Sequence, residues 1–281
     1  MARGHTNPMR LSNMNRSIGF AFVLISFCNQ IFGQSSAATP SDSSAQKRHE
    51  AYREANRQVY ARHEDPGSGN LNASEQNVRS IAKQLDSMIG KEIEMALSTP
   101  EPSPQSVISA IAALQGDISL STWGPEETNT PFVKLFSLNG IQTAAVAYVI
   151  MQGGDATPDT QPYLVFYDNA SGDWSKKAAA PTLDDFEGCT FSVAQLNSSA
   201  SGEGWFLAWG IPFGSSHGSV RVRLYSFDGF TVHTPWKRDN LDGGKITVVS
   251  DTVIIDYLDS RDPSIQKHEV FHLSANGLLP Q

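Results

Sequence analysis

The sequence predicts a mainly β C-terminal domain of three four-stranded antiparallel repeats over residues 117–281, preceded by an α-helical N-terminal arm. Three observations carry this expectation. Apolar residues recur at helical spacing between Val78 and Leu97. After Gly116 the texture changes to short β-branched and aromatic runs separated by Asn, Asp, Gly and Pro. One kind of segment, an alternating strand that ends in a glycine turn, occurs three times.

Residues 1–33 have the three-part layout of a secretory signal peptide. Arg3, Arg10 and Arg16 precede the apolar run Ile18 to Phe27, and small polar residues follow in GQSSAATP. The run falls short of the roughly 20 apolar residues of a spanning helix, so cleavage is expected after Gly33 or Ala37. The mature chain is then secreted or periplasmic and not membrane-bound. Cleavage removes three positive charges and no negative ones, taking the formal net charge from −8 to about −11. That balance excludes nucleic acid and anionic membrane as partners, because phosphate binding needs clustered positive charge. Only Cys189 remains after cleavage, so no internal disulfide forms and stability must come from packing.

Residues 34–72 carry few large apolar side chains beyond Tyr52, Val59 and Tyr60, which implies a disordered tether or a frayed helix. Residues 73–116 form the helical segment. Val78, Ile81, Leu85, Met88, Ile89, Ile93, Ala96 and Leu97 fall on one helix face, Ser74 is the expected N-cap, and the prolines of STPEPSP end the helix. Pro104 opens a shorter helix, Gln105 to Leu114, closed by Gly116.

The strands fall into three sets. The first reads FVKLFSL, the turn Asn139-Gly140, TAAVAYVIMQ, YLVFYDN, and a fourth segment after Trp174. The second reads TFSVAQL, GWFLAWGIPF, SVRVRLYSF and FTVHTPW. The third reads KITVVS, TVIIDYLDS and KHEVFHLS, with Leu278 to Gln281 left over. The third members align with one another: Tyr163 to Gly172 matches His268 to Gly277 without gaps, and Arg221 to Gly229 fits with one deletion.

Four short antiparallel strands recurring in this way resemble the blade of a β-propeller, although no Trp-Asp blade signature is present. Three blades cannot close a ring, so the expected architectures are an open fan of sheets capped by the Ser74 helix, a two-sheet sandwich, or closure through another copy of the chain. The third set could borrow ISLSTW, Ile118 to Trp123, as its missing strand.

Two patterns of catalytic type are present. His268-Glu269-Val270-Phe271-His272 spells the H-E-x-x-H of zinc metalloproteases, in which both histidines must share one helix face. Here Val270 and Phe271 favour a strand, and the repeat places strand partners opposite every position. Four residues along a strand span roughly 13 Å, too far for two side chains to ligate one zinc. Gly214-Ser215-Ser216-His217-Gly218 satisfies G-x-S-x-G, but that nucleophile elbow needs a helix after Ser216 and a strand-like run follows instead.

Asp184, Asp185 and Glu187, and likewise Asp256, Asp259 and Asp262, cluster without the spacing of a calcium loop and are expected to be solvated. Trp205 and Trp209 share one strand face, suited to core packing or to stacking on a sugar. Asn72, Asn169 and Asn197 begin N-x-[ST] triplets, which matter only in a eukaryotic secretory pathway. The expectation is an exported binding or assembly protein with an unknown protein or glycan ligand, as a monomer or a homo-oligomer. No catalytic, cofactor-binding or metal-ligating residue is assigned. The alternative is an extracytoplasmic hydrolase, metal-dependent through His268 and His272 or carboxylate-based.

Overall fold

The computed structural model describes residues 40–63, 71–116, 131–152, 159–181, 186, 188–197, 202–212 and 218–281. The expected signal segment, ISLSTW, Ser216, and the carboxylates Asp184, Asp185 and Glu187 lie outside the described residues. Three helices precede two antiparallel sheets, one of four strands and one of seven.

The helices are α1 (Pro40–His63), α2 (Leu71–Leu97) and α3 (Pro104–Gln115). Within 34–72, where the composition predicts a tether or a frayed helix, α1 packs Tyr52 and Ala55 into a shared core and pairs Arg48 Nε with Glu92 Oε1 at 2.5 Å. Successive turns of α2 each supply a fully buried side chain: Leu85, Ile89, Ile93 and Leu97. The helix starts three residues before Ser74, which therefore lies in the first turn instead of capping it. No Pro or Gly between 70 and 74 stops the extension. Ser103 caps α3 reciprocally with Ser106, and Pro104 takes the first helical position.

The first sheet runs β1 (Phe132–Leu138), β2 (Ile141–Gln152), β3 (Asp159–Asp168) and β4 (Ser175–Ala179), in that order. Its middle strands are apolar on both faces because both faces are covered. Ala144, Val146, Tyr148, Ile150, Val165 and Tyr167 meet the helices. Ala145, Ala147, Leu164 and Phe166 meet the second sheet. Phe206 of the second sheet sits among Phe132, Phe136 and Phe166, with ring centroids 6.4, 5.7 and 5.2 Å away. Such aromatic contacts add directionality to an otherwise non-directional burial.

The second sheet is a continuous meander of β5 (Ser192–Leu196), β6 (Gly204–Gly210), β7 (Val220–Phe227), β8 (Val232–Val249), β9 (Thr252–Leu258), β10 (Gln266–Ser274) and β11 (Gly277–Pro280). This corrects the count of three separate four-stranded repeats. FTVHTPW and KITVVS, expected as the last strand of one set and the first of the next, are two halves of the single strand β8. Val232–Leu241 pairs with β7, and Asp242–Val249 pairs with β9. Pro235 is tolerated in the first half because β9 does not pair there. Neither sheet closes into a barrel or a propeller ring.

At the changeover the ladder slips between Asp242 and Lys245. Gly243 has φ +60°, and a Cβ on Gly244 would stand 2.8 Å from both Leu241 O and Val220 Cγ2. This glycine bulge bends β8 and folds the second half of the sheet over the first. β11 consequently lies across the other half: the Cβ position of Gly277 is 3.7 to 3.9 Å from Pro235, Leu224 and Trp236. Between the halves lie Trp205, Leu207, Val222, Leu224, Val253, Ile255, Phe271 and Leu278. The layers are thus helices, first sheet, β5 to early β8, and late β8 to β11.

Polar groups fix the helices on the first sheet. Tyr148 OH donates to Asp86, Lys176 Nζ lies 3.0 Å from Asp86 Oδ2, and Lys176 N–H donates to Glu94 Oε1 at 3.1 Å. Tyr167 OH is buried beside Gly90 with no partner among the described residues. Burial, and then neighbouring tyrosine or carboxylate charge, raises both phenols far above the ordinary value.

Three outcomes follow from these contacts. Gly244→Ala should lower the urea-derived stability by about 1–3 kcal/mol, through overpacking against Leu241 and Val220. The unfolded chain releases its tyrosine protons near pH 10 while folded Tyr148 and Tyr167 hold theirs, so stability is full below about pH 10 and declines above it. Urea midpoints measured from pH 8 to 11 should show this fall in the wild type and a smaller one in Tyr167→Phe. At pH 7 Tyr148→Phe is destabilising, and Tyr167→Phe is neutral or stabilising because it removes an unpartnered hydroxyl.

Candidate functional site

The last layer consists of late β8, β9, β10 and β11, and strand alternation gives it two chemically different faces. Residues at odd positions of β9 and β10 face the preceding half: Val253, Ile255 and Phe271 are buried there, with Trp236 and Phe271 rings 5.3 Å apart. At the end of this face the apolar lining gives way to polar groups. Arg238 Nη2 donates to Glu269 Oε2 at 2.5 Å, and Tyr257 OH donates to Glu269 Oε1 at 2.7 Å. The hydrogen bond to Glu269, followed by burial, raises the Tyr257 phenol above its usual value.

Even positions face outward. His268 Nδ1 lies 2.7 Å from Asp256 Oδ1, and His272 Nδ1 lies 3.0 Å from Thr252 Oγ1. The H-E-x-x-H residues therefore lie on a strand, Gln266–Ser274, with both histidines on one face and Glu269 on the other. Each histidine has its own cross-strand partner. A glutamate on the opposite face cannot act on a water held between two histidines, which is the service the protease motif requires of it.

The other sequence candidates have local roles. Asp259 accepts from Arg261 N–H at 2.8 Å and lies 3.0 Å from Lys267 Nζ, while Asp262 accepts from Ser264 N–H at 3.0 Å. These bonds, with the Arg261 amide leading at Asp259 and the Ser264 hydroxyl at Asp262, hold both carboxyls below the usual range. Asp256 belongs to His268, so the three aspartates do not converge. Trp205 is buried and Trp209 partly buried on the inner side of the folded sheet. Among the described residues no group of three or more His, Cys, Asp or Glu is placed to hold a metal ion. Gly218, the end of the elbow pattern, has φ +56° and leads directly into β7.

A groove of about 600 Å³ opens at the free end of β10. Arg238 and Glu269 line it with His268, Val270, Phe271, Pro280 and Gln281. Arg238 and Tyr257 carry no motif, and sequence reasoning does not single them out. Arg238 meets Glu269 only because β8 bends, so the pairing has no local signal. Alternation along β9 places Tyr257 on the face of Val253 and Ile255, which marks it as core-facing but not as a partner of Glu269.

Compared with known protein families and with curated proteins, the chain matches no family model and no curated relative.

Metal analysis of the purified chain, His268→Ala and His272→Ala is expected to find no stoichiometric zinc in any of the three. One equivalent of zinc lost on both substitutions would contradict the separate anchoring of the two rings.

Proposed function

We propose that this chain is an exported binding or assembly protein whose contact region is the groove at the free end of β10. The reading is supported foremost by that groove, an open recess combining an ion pair, apolar wall and strand backbone at the outermost layer of the stack. Its export rests on the charge and apolar layout of residues 1–33. The ligand is a protein or a glycan. Support for binding over catalysis comes from the histidines: each is held by its own strand neighbour, so the two rings do not share one site.

Expression with a secretory host tests export: the intact mass of the released protein should correspond to a chain starting at Gln34 or Ala38. Assays of the same material on peptide, ester and glycan substrates should give no turnover above buffer. Turnover abolished by His268→Ala would replace this reading with that of a hydrolase.

A further inference from the structure

The first helix is attached differently from the rest of the molecule. Of the α1 side chains whose burial is described, only Tyr52, Ala55 and Asn56 are buried, whereas α2 buries an apolar side chain on each of four successive turns. A helix in a folded protein owes most of its stability to the packing of its apolar face, and this face of α1 is small. Because α1 belongs to neither sheet, side-chain contacts hold it, and its departure would break no strand ladder.

The buried face of α1 is also chemically mixed. Arg48, Tyr52 and Asn56 stand one turn apart in a single row. Arg48 reaches Glu92 of α2, and the two side chains are 37% and 10% exposed, so the tie between the helices has one end in water. Asn56 Oδ1 is buried with no partner among the described residues. On release both polar groups regain water, which offsets part of the burial lost at Tyr52 and Ala55. Pro66, Gly67 and Gly69 stand in the sequence between α1 and α2 and do not propagate a helix, so α1 can leave without unwinding α2.

We propose that α1 is a releasable strap: it detaches as a unit while α2, α3 and both sheets stay folded. Access to the apolar surface that α1 shares with α2 and α3 is then set by the Arg48–Glu92 pair and by the unsatisfied Asn56 carbonyl. Elements with few buried apolar contacts are the ones that open below the global unfolding free energy. The inference does not depend on the groove at β10.

Native-state hydrogen exchange on the full chain, in rising sub-denaturing urea, tests this. The α1 amides should be protected, and should exchange together about tenfold or more faster than those between Leu85 and Leu97, with a smaller urea dependence. Glu92→Gln should speed α1 exchange about three- to tenfold, and Asn56→Leu should slow it. Tyr148→Phe weakens the contact of α2 with the first sheet, which persists when α1 is released; it should speed exchange in α2 and leave α1 unchanged. That last result separates a strap from a helix that is merely part of the fold. Equal rates and urea dependence in α1 and α2, α1 exchange at the free-chain rate, α1 and α2 accelerated alike by Tyr148→Phe, or an α1 indifferent to both Glu92→Gln and Asn56→Leu would each overturn the proposal.

Discussion

The bend at Gly243-Gly244 is the constraint on which the arrangement depends. A straight strand of this length would carry its neighbours out as one extended sheet, with Trp205, Leu207, Val253 and Ile255 on an open face. The bulge instead folds the sheet on itself and buries those side chains against one another. The clearance is set by backbone and not by flexible side chains, since Leu241 O and Val220 stand where a Cβ on Gly244 would be. One local feature thereby creates the third hydrophobic core and brings Arg238 to Glu269.

The layers follow a consistent logic. Each inner strand is apolar on both faces because it lies between two others, and small residues are used where layers approach closely, as at Ala145, Ala147 and Ala208. The stack is sealed at one end by the helices, where Asp86, Tyr148 and Lys176 set the position of α2 on the first sheet. At the other end the outward face of β9 and β10 is amphipathic, with His268, Asp256, Thr252 and His272 among Ile254 and Val270. Half-exposed Val249 and Leu279 lie at its margins.

Much of this was legible in the sequence, and the reasons are physical. Alternation and turn residues mark the strands one by one. The three aligned segments each contain a strand, β3, β7 and β10, and each closes on a glycine with φ between +93° and +115°: Gly172, Gly229 and Gly277. Periodicity marks α2 down to its buried face, and the helix stop at STPEPSP needs only proline chemistry. What the sequence conceals is association. KRDNLDGG looks like a connection, because Asn, Asp and Gly usually mark turns, yet here they sit in a bulge within one strand. The amphipathic signal of α1 is weak since Arg48 and Asn56 stand where apolar side chains would advertise a buried face. The salt bridge at the groove joins residues 31 apart and depends on a bend that no periodicity encodes.

The account stands on β10 being a strand bonded fully on one side and only partly on the other. Residue-resolved hydrogen exchange measures this directly. Slow amides at Lys267, Glu269, Phe271 and Leu273, with fast exchange at Gln266 and His268, are what the account requires. Uniform protection from Gln266 to His272, as in a helix or a strand paired along both edges, would contradict it.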